Sequence, residues 1–194
     1  MRIVLFTAFA AYAVLTSWGL AIAQELRQGE TALRLLAEPR THAILRHAIA
    51  PGTGDPAGFT LGDCATQRSL DDRGRDQARA IGAAIRDAGI TVDHVLTSQW
   101  CRSAETARLL GLGEVREEPA LNSFFADRTT RDAQTAATRE LLNAFPAGQT
   151  AVLVSHQVNI TALTGVYPRS GEMVILKVAA DGALEVAGTF LVSD

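Results

Sequence analysis

The stretch TAVLVSHQVNITALT, residues 150–164, contains a strand pattern and, directly after it, a helix pattern. TAVLVS (150–155) is the strongest strand pattern in the chain, and NITALTG (159–165) has a helical pattern. The same order recurs upstream in six further predicted elements: HAILR (42–46), a helix over 71–88, DHVLTS (93–98), SAETARLLG (103–111), EVREE (114–118) and a helix over 129–145. Repeated strand–helix units predict a three-layer α/β/α sandwich with a mostly parallel central sheet.

The boundaries of these elements are marked by capping and turn residues. Asp71 or Asp72 can cap the helix over 71–88, and Gly89 ends it. Downstream, MVILKVA (173–179) and ALEVAGTFLV (183–192) predict two final strands joined by the turn residues Asp181-Gly182.

Reactive side chains follow three of the predicted strands. Arg46 and His47 end the first strand, Arg102 lies in the segment after the second, and His156 follows the fourth. Because ligands bind beyond the carboxyl ends of parallel strands, we expect these residues to converge. Arginine forks match the charged oxygens of a phosphoryl group, and a neutral histidine can attack phosphorus. The pattern therefore indicates a site for phosphoryl transfer.

Four segments in a fixed order carry a family resemblance. LRHA (45–48), SLDDRGRDQARAIG (69–82), TSQWCRSAETA (97–107) and LVSHQ (153–157) resemble the signature segments of the histidine phosphatase superfamily, the phosphoglycerate-mutase-like group. Within its branch 1, the chain is similar to the small phosphohistidine-phosphatase-type members. Ala48 departs from the pattern, since many members have glycine there.

The resemblance implies a role for each matching residue. His47 would be the nucleophile, Arg46 and Arg102 would bind the phosphoryl oxygens, and His156 would donate a hydrogen bond that stabilises the transition state. The implied activity is hydrolysis of a phosphomonoester, a phosphoramidate or an acyl phosphate, on a phosphorylated small molecule or macromolecule. Neither a metal nor a cofactor is expected. The alternative is a non-catalytic domain that binds a phosphate ligand, and a mutase is disfavoured.

The chain also departs from the family where many members carry a glutamate that protonates the leaving group. That segment here is EPALNSFFAD (118–127), with Asn122 or Ser123 near the expected position. Three explanations compete: the leaving group needs no acid, another carboxyl serves as the acid, or the protein binds phosphate without turnover. The candidate acids are Asp55, Asp63 and Glu172, and the candidate substrate-binding residues are Asp55, Asn122, Ser123, Gln157 and Glu172.

The two cysteines, Cys64 and Cys101, fit either one disulfide or two unrelated buried thiols. Cys64 lies in the loop 50–67, which is long for such a connection and is expected to shape the substrate pocket. On the implied fold both cysteines lie at the same end of the sheet, so we expect a disulfide that holds this loop beside the site. Their spacing does not suit a metal site.

The first residues resemble an export signal. A basic residue, an apolar run and the small residues 21–23 predict a signal peptide over 1–23, or an uncleaved membrane anchor. Either places the protein outside the cytoplasm, in the periplasm or anchored facing it. A connector over 24–40 and the phosphatase domain over 41–194 follow, with no further membrane span. The net charge of −3 and pI of about 5.8 argue against a nucleic-acid partner.

Overall fold

The central sheet has seven strands in residues 27–192, the part of the chain that the computed structural model describes. Their bounds are β1 Arg27–Gln28, β2 Thr41–Arg46, β3 His94–Thr97, β4 Val115–Glu117, β5 Ala151–Ser155, β6 Met173–Val178 and β7 Leu184–Phe190. They are arranged in the order β1-β7-β6-β2-β5-β3-β4. β2, β5, β3 and β4 pair in parallel, whereas β6 is antiparallel to both of its neighbours. The predicted mostly parallel sheet is confirmed.

Five α-helices accompany these strands within the described range: α1 Gly29–Leu33, α2 Asp72–Asp87, α3 Cys101–Leu110, α4 Arg131–Ala144 and α5 Gln157–Thr164. The Asp71 side chain accepts a hydrogen bond from Gly74 N over 2.7 Å and caps α2, as the sequence predicts. α3 ends at Gly111, whose φ of 61° is left-handed and therefore suits glycine.

Apolar residues cover both faces of the sheet. In β2, Ala43 and Leu45 join a buried cluster with residues of α1, α2 and α3, whereas Ile44 joins a second cluster with residues of α4 and α5. The same alternation in β5 sends Val152 to the first cluster and Leu153 to the second. Burial on both faces explains why these strands are apolar throughout, and it confirms the three-layer sandwich.

Two glycines of α2 allow close backbone approach. A Cβ at Gly82 would lie 1.8 Å from the carbonyl oxygen of Leu110 at the end of α3. A Cβ at Gly74 would lie 2.0 Å from the carbonyl oxygen of Ile49, two residues after His47. Glycine at these positions lets α2 pack directly on α3 and on the chain that leaves β2.

Residues 27–37 are part of the packed structure. β1 pairs with β7 at the sheet edge, and Ala32 and Leu36 are fully buried in the first cluster. The predicted signal peptide over 1–23 lies outside the described residues. Within 27–192, no helix has the length and apolar character that crossing a membrane requires.

Candidate active site

Three strand ends bring the predicted residues together around one cavity. β2 and β5 pair in register, with Arg46 opposite Ser155, so the next residues, His47 and His156, leave the sheet side by side. Their ring centroids lie 5.5 Å apart. Arg102 reaches the same point from the first turn of α3. All four residues line a cavity of about 160 Å³, so the expected convergence is found.

His47 is held in one tautomer. Its Nδ1 lies 2.8 Å from the carbonyl oxygen of Ala48, and since a carbonyl can only accept, Nδ1 carries the proton. Arg102 Nε donates to His47 Nε2 over 3.2 Å, which requires a lone pair on that nitrogen. Burial, and then the positive charge of Arg102, lower the pKa of His47 to about 3. The ring is therefore neutral at pH 7, with Nε2 unprotonated.

His156 is oriented by serine hydroxyls. Ser98 Oγ lies 2.8 Å from His156 Nε2, and Ser103 Oγ lies 3.4 Å away. Ser98 Oγ also accepts a hydrogen bond from Trp100 N, which fixes its position beside the ring. Burial, followed by His47 and Arg102, lowers the pKa of His156 well below its usual value, and the residue is a neutral hydrogen-bond donor.

Three arginines supply positive charge to the cavity wall in the described structure. Arg46 Nη1 donates to Pro168 O over 3.0 Å, but its Nε is buried and has no hydrogen-bond partner among the described residues. Burial and the neighbouring Arg102 lower the pKa of Arg46. A buried donor without a partner beside concentrated positive charge is suited to an anion.

The third arginine, Arg68, was not predicted from the sequence. Its Nε donates to Gly54 O over 2.5 Å, and its Nη1 donates to the carbonyl oxygens of Ala50 and Pro51. Arg68 thereby binds the start of the long loop to the segment before α2. Burial and the positive charge of Arg102 lower its pKa. Its place at the end of the loop, directly before a signature segment, is the sequence signal that could have identified it.

The long loop is fixed to α3 by a disulfide and by hydrogen bonds. Cys64 and Cys101 are bonded, with their Cα atoms 5.6 Å apart, which confirms the expected pairing. Nearby, Gln67 Oε1 accepts a hydrogen bond from Cys101 N, and Gln67 Nε2 donates to Thr60 O. These contacts hold the loop next to Arg102.

Asp55, on this loop, reaches into the cavity. Its Oδ1 accepts from Arg102 Nη1 over 2.6 Å, and its Oδ2 accepts from Trp100 Nε1 over 3.0 Å. Burial alone would raise the pKa of Asp55. The two hydrogen bonds, together with the charges of Arg102 and Arg68, outweigh burial and lower that pKa. The carboxylate is therefore ionised in the ligand-free protein.

The other candidate substrate-binding residues divide into two groups. Ser123 and Gln157 line the cavity, as expected. Asn122 does not, because both ends of its amide are bound to Gln99: Oδ1 accepts from the backbone N, and Nδ2 donates to Oε1. Glu172 is also absent from the described cavity wall, since its carboxylate accepts from Arg169 N over 2.8 Å. Asn122 and Glu172 therefore lie outside the described cavity wall, contrary to the expected placement.

Comparisons with known proteins agree with the resemblance that the sequence carries. Residues 64–133 match the family model of the histidine phosphatase superfamily (branch 1). No curated protein sequence matches the chain. Among solved structures, the chain is similar to the protein histidine phosphatase SixA in complex with tungstate, at 16% identity and a TM-score of 0.57, over 78% of this chain and 96% of that one.

Two further solved structures share the fold. The SixA-type putative phosphohistidine phosphatase from Agrobacterium tumefaciens is 17% identical, with a TM-score of 0.57 over 80% of this chain and 99% of that one. A mycobacterial glucosyl-3-phosphoglycerate phosphatase is 18% identical, with a TM-score of 0.51 over 79% and 97%. At these identities the likeness establishes the fold alone.

The fold is that of an α/β protein with an arginine- and histidine-lined cavity at the carboxyl ends of its parallel strands. With the family match over residues 64–133, the chain is similar to the phosphatases of the histidine phosphatase superfamily, branch 1.

Proposed function

We propose that this protein hydrolyses a phosphomonoester, a phosphoramidate or an acyl phosphate through a phosphohistidine intermediate on His47. The observation that carries the proposal is the state of the His47 ring. It is neutral, its proton is fixed on Nδ1 by Ala48 O, and its unprotonated Nε2 accepts a hydrogen bond from Arg102 at the cavity. An unprotonated nitrogen beside guanidinium groups is what attack on a phosphoryl group requires.

The reaction has two steps. His47 Nε2 attacks phosphorus, the bond to the leaving group breaks, and the phosphoryl group is transferred to the ring. Arg46, Arg102 and His156 bind the three non-bridging oxygens, whose negative charge is largest in the transition state. Water then attacks the phosphohistidine, inorganic phosphate leaves, and Nε2 regains its electron pair. The guanidinium groups provide the charge neutralisation throughout.

The lining of the cavity supports a substrate that presents a phosphoryl group. The cationic and imidazole groups share the lining with Phe125, which is 47% exposed. The names of the similar structures span protein phosphohistidine and a phosphorylated sugar acid. We therefore propose substrates of both kinds for a first screen, a phosphohistidine protein and a set of sugar phosphates.

We also propose that the protein is exported to the periplasm, with a signal peptide over 1–23, a connector over 24–40 and the phosphatase domain over 41–194. The Cys64–Cys101 disulfide supports this, because disulfides persist in oxidising compartments. Fractionation of cells that express the full chain should recover a shortened protein from the periplasm. A full-length protein in the membrane fraction would favour the uncleaved anchor.

The test of the activity is hydrolysis of para-nitrophenyl phosphate by the wild type and by His47→Ala. We expect turnover by the wild type, a loss of at least 1,000-fold in the variant, on the order expected for removal of a nucleophile, and acid-labile labelling of the wild type alone in rapid-quench experiments. His94→Ala is the matched control, since His94 begins β3 at the opposite end of the strand and bonds to Gln149. Tungstate binding by a wild type without turnover would instead establish a phosphate-binding domain.

A further inference from the structure

The cavity contains one carboxylate whose role is not assigned by the reaction above. Among the described residues that line the cavity, Asp55 is the only aspartate or glutamate. A histidine phosphatase that acts on an alkyl or aryl ester benefits from an acid that protonates the departing oxygen. The segment that carries this acid in many members of the family has Asn122 and Ser123 here, and the amide of Asn122 is bound to Gln99.

We propose that Asp55 is the proton donor to the leaving group, an assignment that rests on the proposed function of the cavity. The other candidate carboxyls are bound elsewhere. Asp63 accepts from Ala65 N and caps a short helical turn, and Glu172 accepts from Arg169 N. Neither belongs to the described cavity wall.

The position of Asp55 relative to the nucleophile suits this role. One guanidinium contacts both groups: Arg102 Nε donates to His47 Nε2, and Arg102 Nη1 donates to Asp55 Oδ1. In an in-line displacement the leaving oxygen is on the side of phosphorus opposite the attacking nitrogen. We therefore place the phosphoryl group at Arg102 between His47 Nε2 and Asp55, with the leaving oxygen on the side of the carboxyl.

Ligand binding changes the protonation of Asp55. In the ligand-free protein its Oδ1 occupies the Arg102 nitrogen that a phosphoryl oxygen needs. When the phosphoryl group takes that donor, the carboxylate loses its main cationic partner and gains an anion as neighbour, and both changes favour the protonated form. Trp100 Nε1 continues to hold Oδ2, which leaves Oδ1 to carry the proton. Binding should therefore take up one proton, from solvent or with a monoanionic substrate.

The proton is balanced over the two steps. As the bond from Nε2 to phosphorus forms and the bond to the leaving oxygen breaks, the Oδ1 proton moves to that oxygen and releases an alcohol. The Asp55 carboxylate then accepts a proton from the water that attacks the phosphohistidine. The bond from phosphorus to Nε2 breaks, its electron pair returns to His47, and inorganic phosphate leaves with Asp55 protonated again.

The experiment compares Asp55→Asn with the wild type on two esters that differ in their leaving group, para-nitrophenyl phosphate and phenyl phosphate. Nitrophenolate leaves as the anion without being protonated, whereas phenolate, the stronger base, needs a proton from an acid. We expect kcat/KM of the variant to fall roughly 100-fold or more on phenyl phosphate and less than about tenfold on the nitrophenyl ester. Asp63→Asn, in the same loop but outside the described cavity wall, should leave both values unchanged. Equal losses on the two esters, or no loss on either, would overturn the assignment.

A second measurement does not depend on turnover. Calorimetry of tungstate binding in buffers of different ionisation enthalpy should show uptake of about one proton by the wild type and none by Asp55→Asn. Identical uptake by both proteins would contradict the proposal. If the wild type hydrolyses neither ester and His47→Ala changes nothing, the proposed function fails. If turnover depends on His47 but the two esters respond alike to Asp55→Asn, only the assignment of Asp55 fails.

Discussion

Removal of the disulfide should cost a large part of the stability of this domain. Cys64 and Cys101 are 37 residues apart in the sequence. In the chain-entropy model, opening a loop of that length returns about 3.8 kcal/mol of conformational entropy to the unfolded state. Because domains of this size are stable by only about 5–15 kcal/mol, the double variant Cys64→Ala/Cys101→Ala should be folded but markedly weaker.

Urea unfolding followed by far-UV circular dichroism measures this loss. With a slope of about 2 kcal/mol per molar urea, the midpoint should fall by about 2 M. Reduction of the wild type should lower the midpoint to the same value, because the reduced protein and the double variant share the open loop. Each single variant should behave like the double variant. A midpoint within about 0.3 M of the wild type would refute the entropy argument, and it would show that Gln67 and Arg68 hold the loop without the covalent bond.

Two other predictions concern packing and pH. Gly82→Ala should destabilise the fold by about 3 kcal/mol and lower its melting temperature, because the new Cβ would lie 1.8 Å from Leu110 O. The control Gly148→Ala, which has open space around the new Cβ, should melt like the wild type. Equal melting temperatures for the two variants would contradict the close approach of α2 and α3. His42 is buried, and its burial and the charge of Arg40 lower its pKa to about 4. Between about pH 6.5 and 4 the unfolded chain therefore binds a proton that the folded protein does not, so this contribution to stability is complete above that range and is lost as the pH falls through it, by about 3 kcal/mol at most. Urea midpoints of His42→Gln, measured across this range, should lack this part of the pH dependence. Parallel pH curves for the variant and the wild type would contradict the assignment to His42.

The sequence predicts the strands and the convergence of the four central residues because both depend on local patterns and on one rule of topology. Apolar runs identify β2, β3 and β5, and parallel pairing places their carboxyl ends together. The disulfide partner of Cys64 follows from the same placement. These features need no knowledge of side-chain orientation.

The remaining features depend on contacts between residues that are distant in sequence. The position of the Asn122 amide is set by the backbone and side chain of Gln99, which no sequence pattern encodes. The Arg68 guanidinium is held by carbonyl groups of the loop, and its place before a signature segment is the one sequence signal that points to it. The pairing of β1 with β7 at the sheet edge was also missed, since a strand of two residues is too short to show an alternating pattern.

The groups of the cavity are held in place by hydrogen bonds within the protein. Arg68 is bound to loop carbonyls, Arg102 to Asp55, His47 to Ala48 O and His156 to Ser98. Burial, and then the neighbouring charged and imidazole groups, keep both histidines neutral, so three cations and one carboxylate leave an excess of two positive charges in the described cavity wall. That excess matches a phosphoryl dianion.

The same balance explains why a carboxylate in such a site is compatible with anion binding. Without Asp55, the buried Arg102 would keep, among the side chains of residues 27–192, the neutral His47 as its hydrogen-bond partner, and its charge would be poorly compensated. With Asp55, the net positive charge of the site is smaller. The phosphoryl group then replaces the Asp55 carboxylate at Arg102 and does not enter an uncompensated cluster of cations. The displaced carboxylate then takes up a proton beside the phosphoryl group, where a departing oxygen needs one.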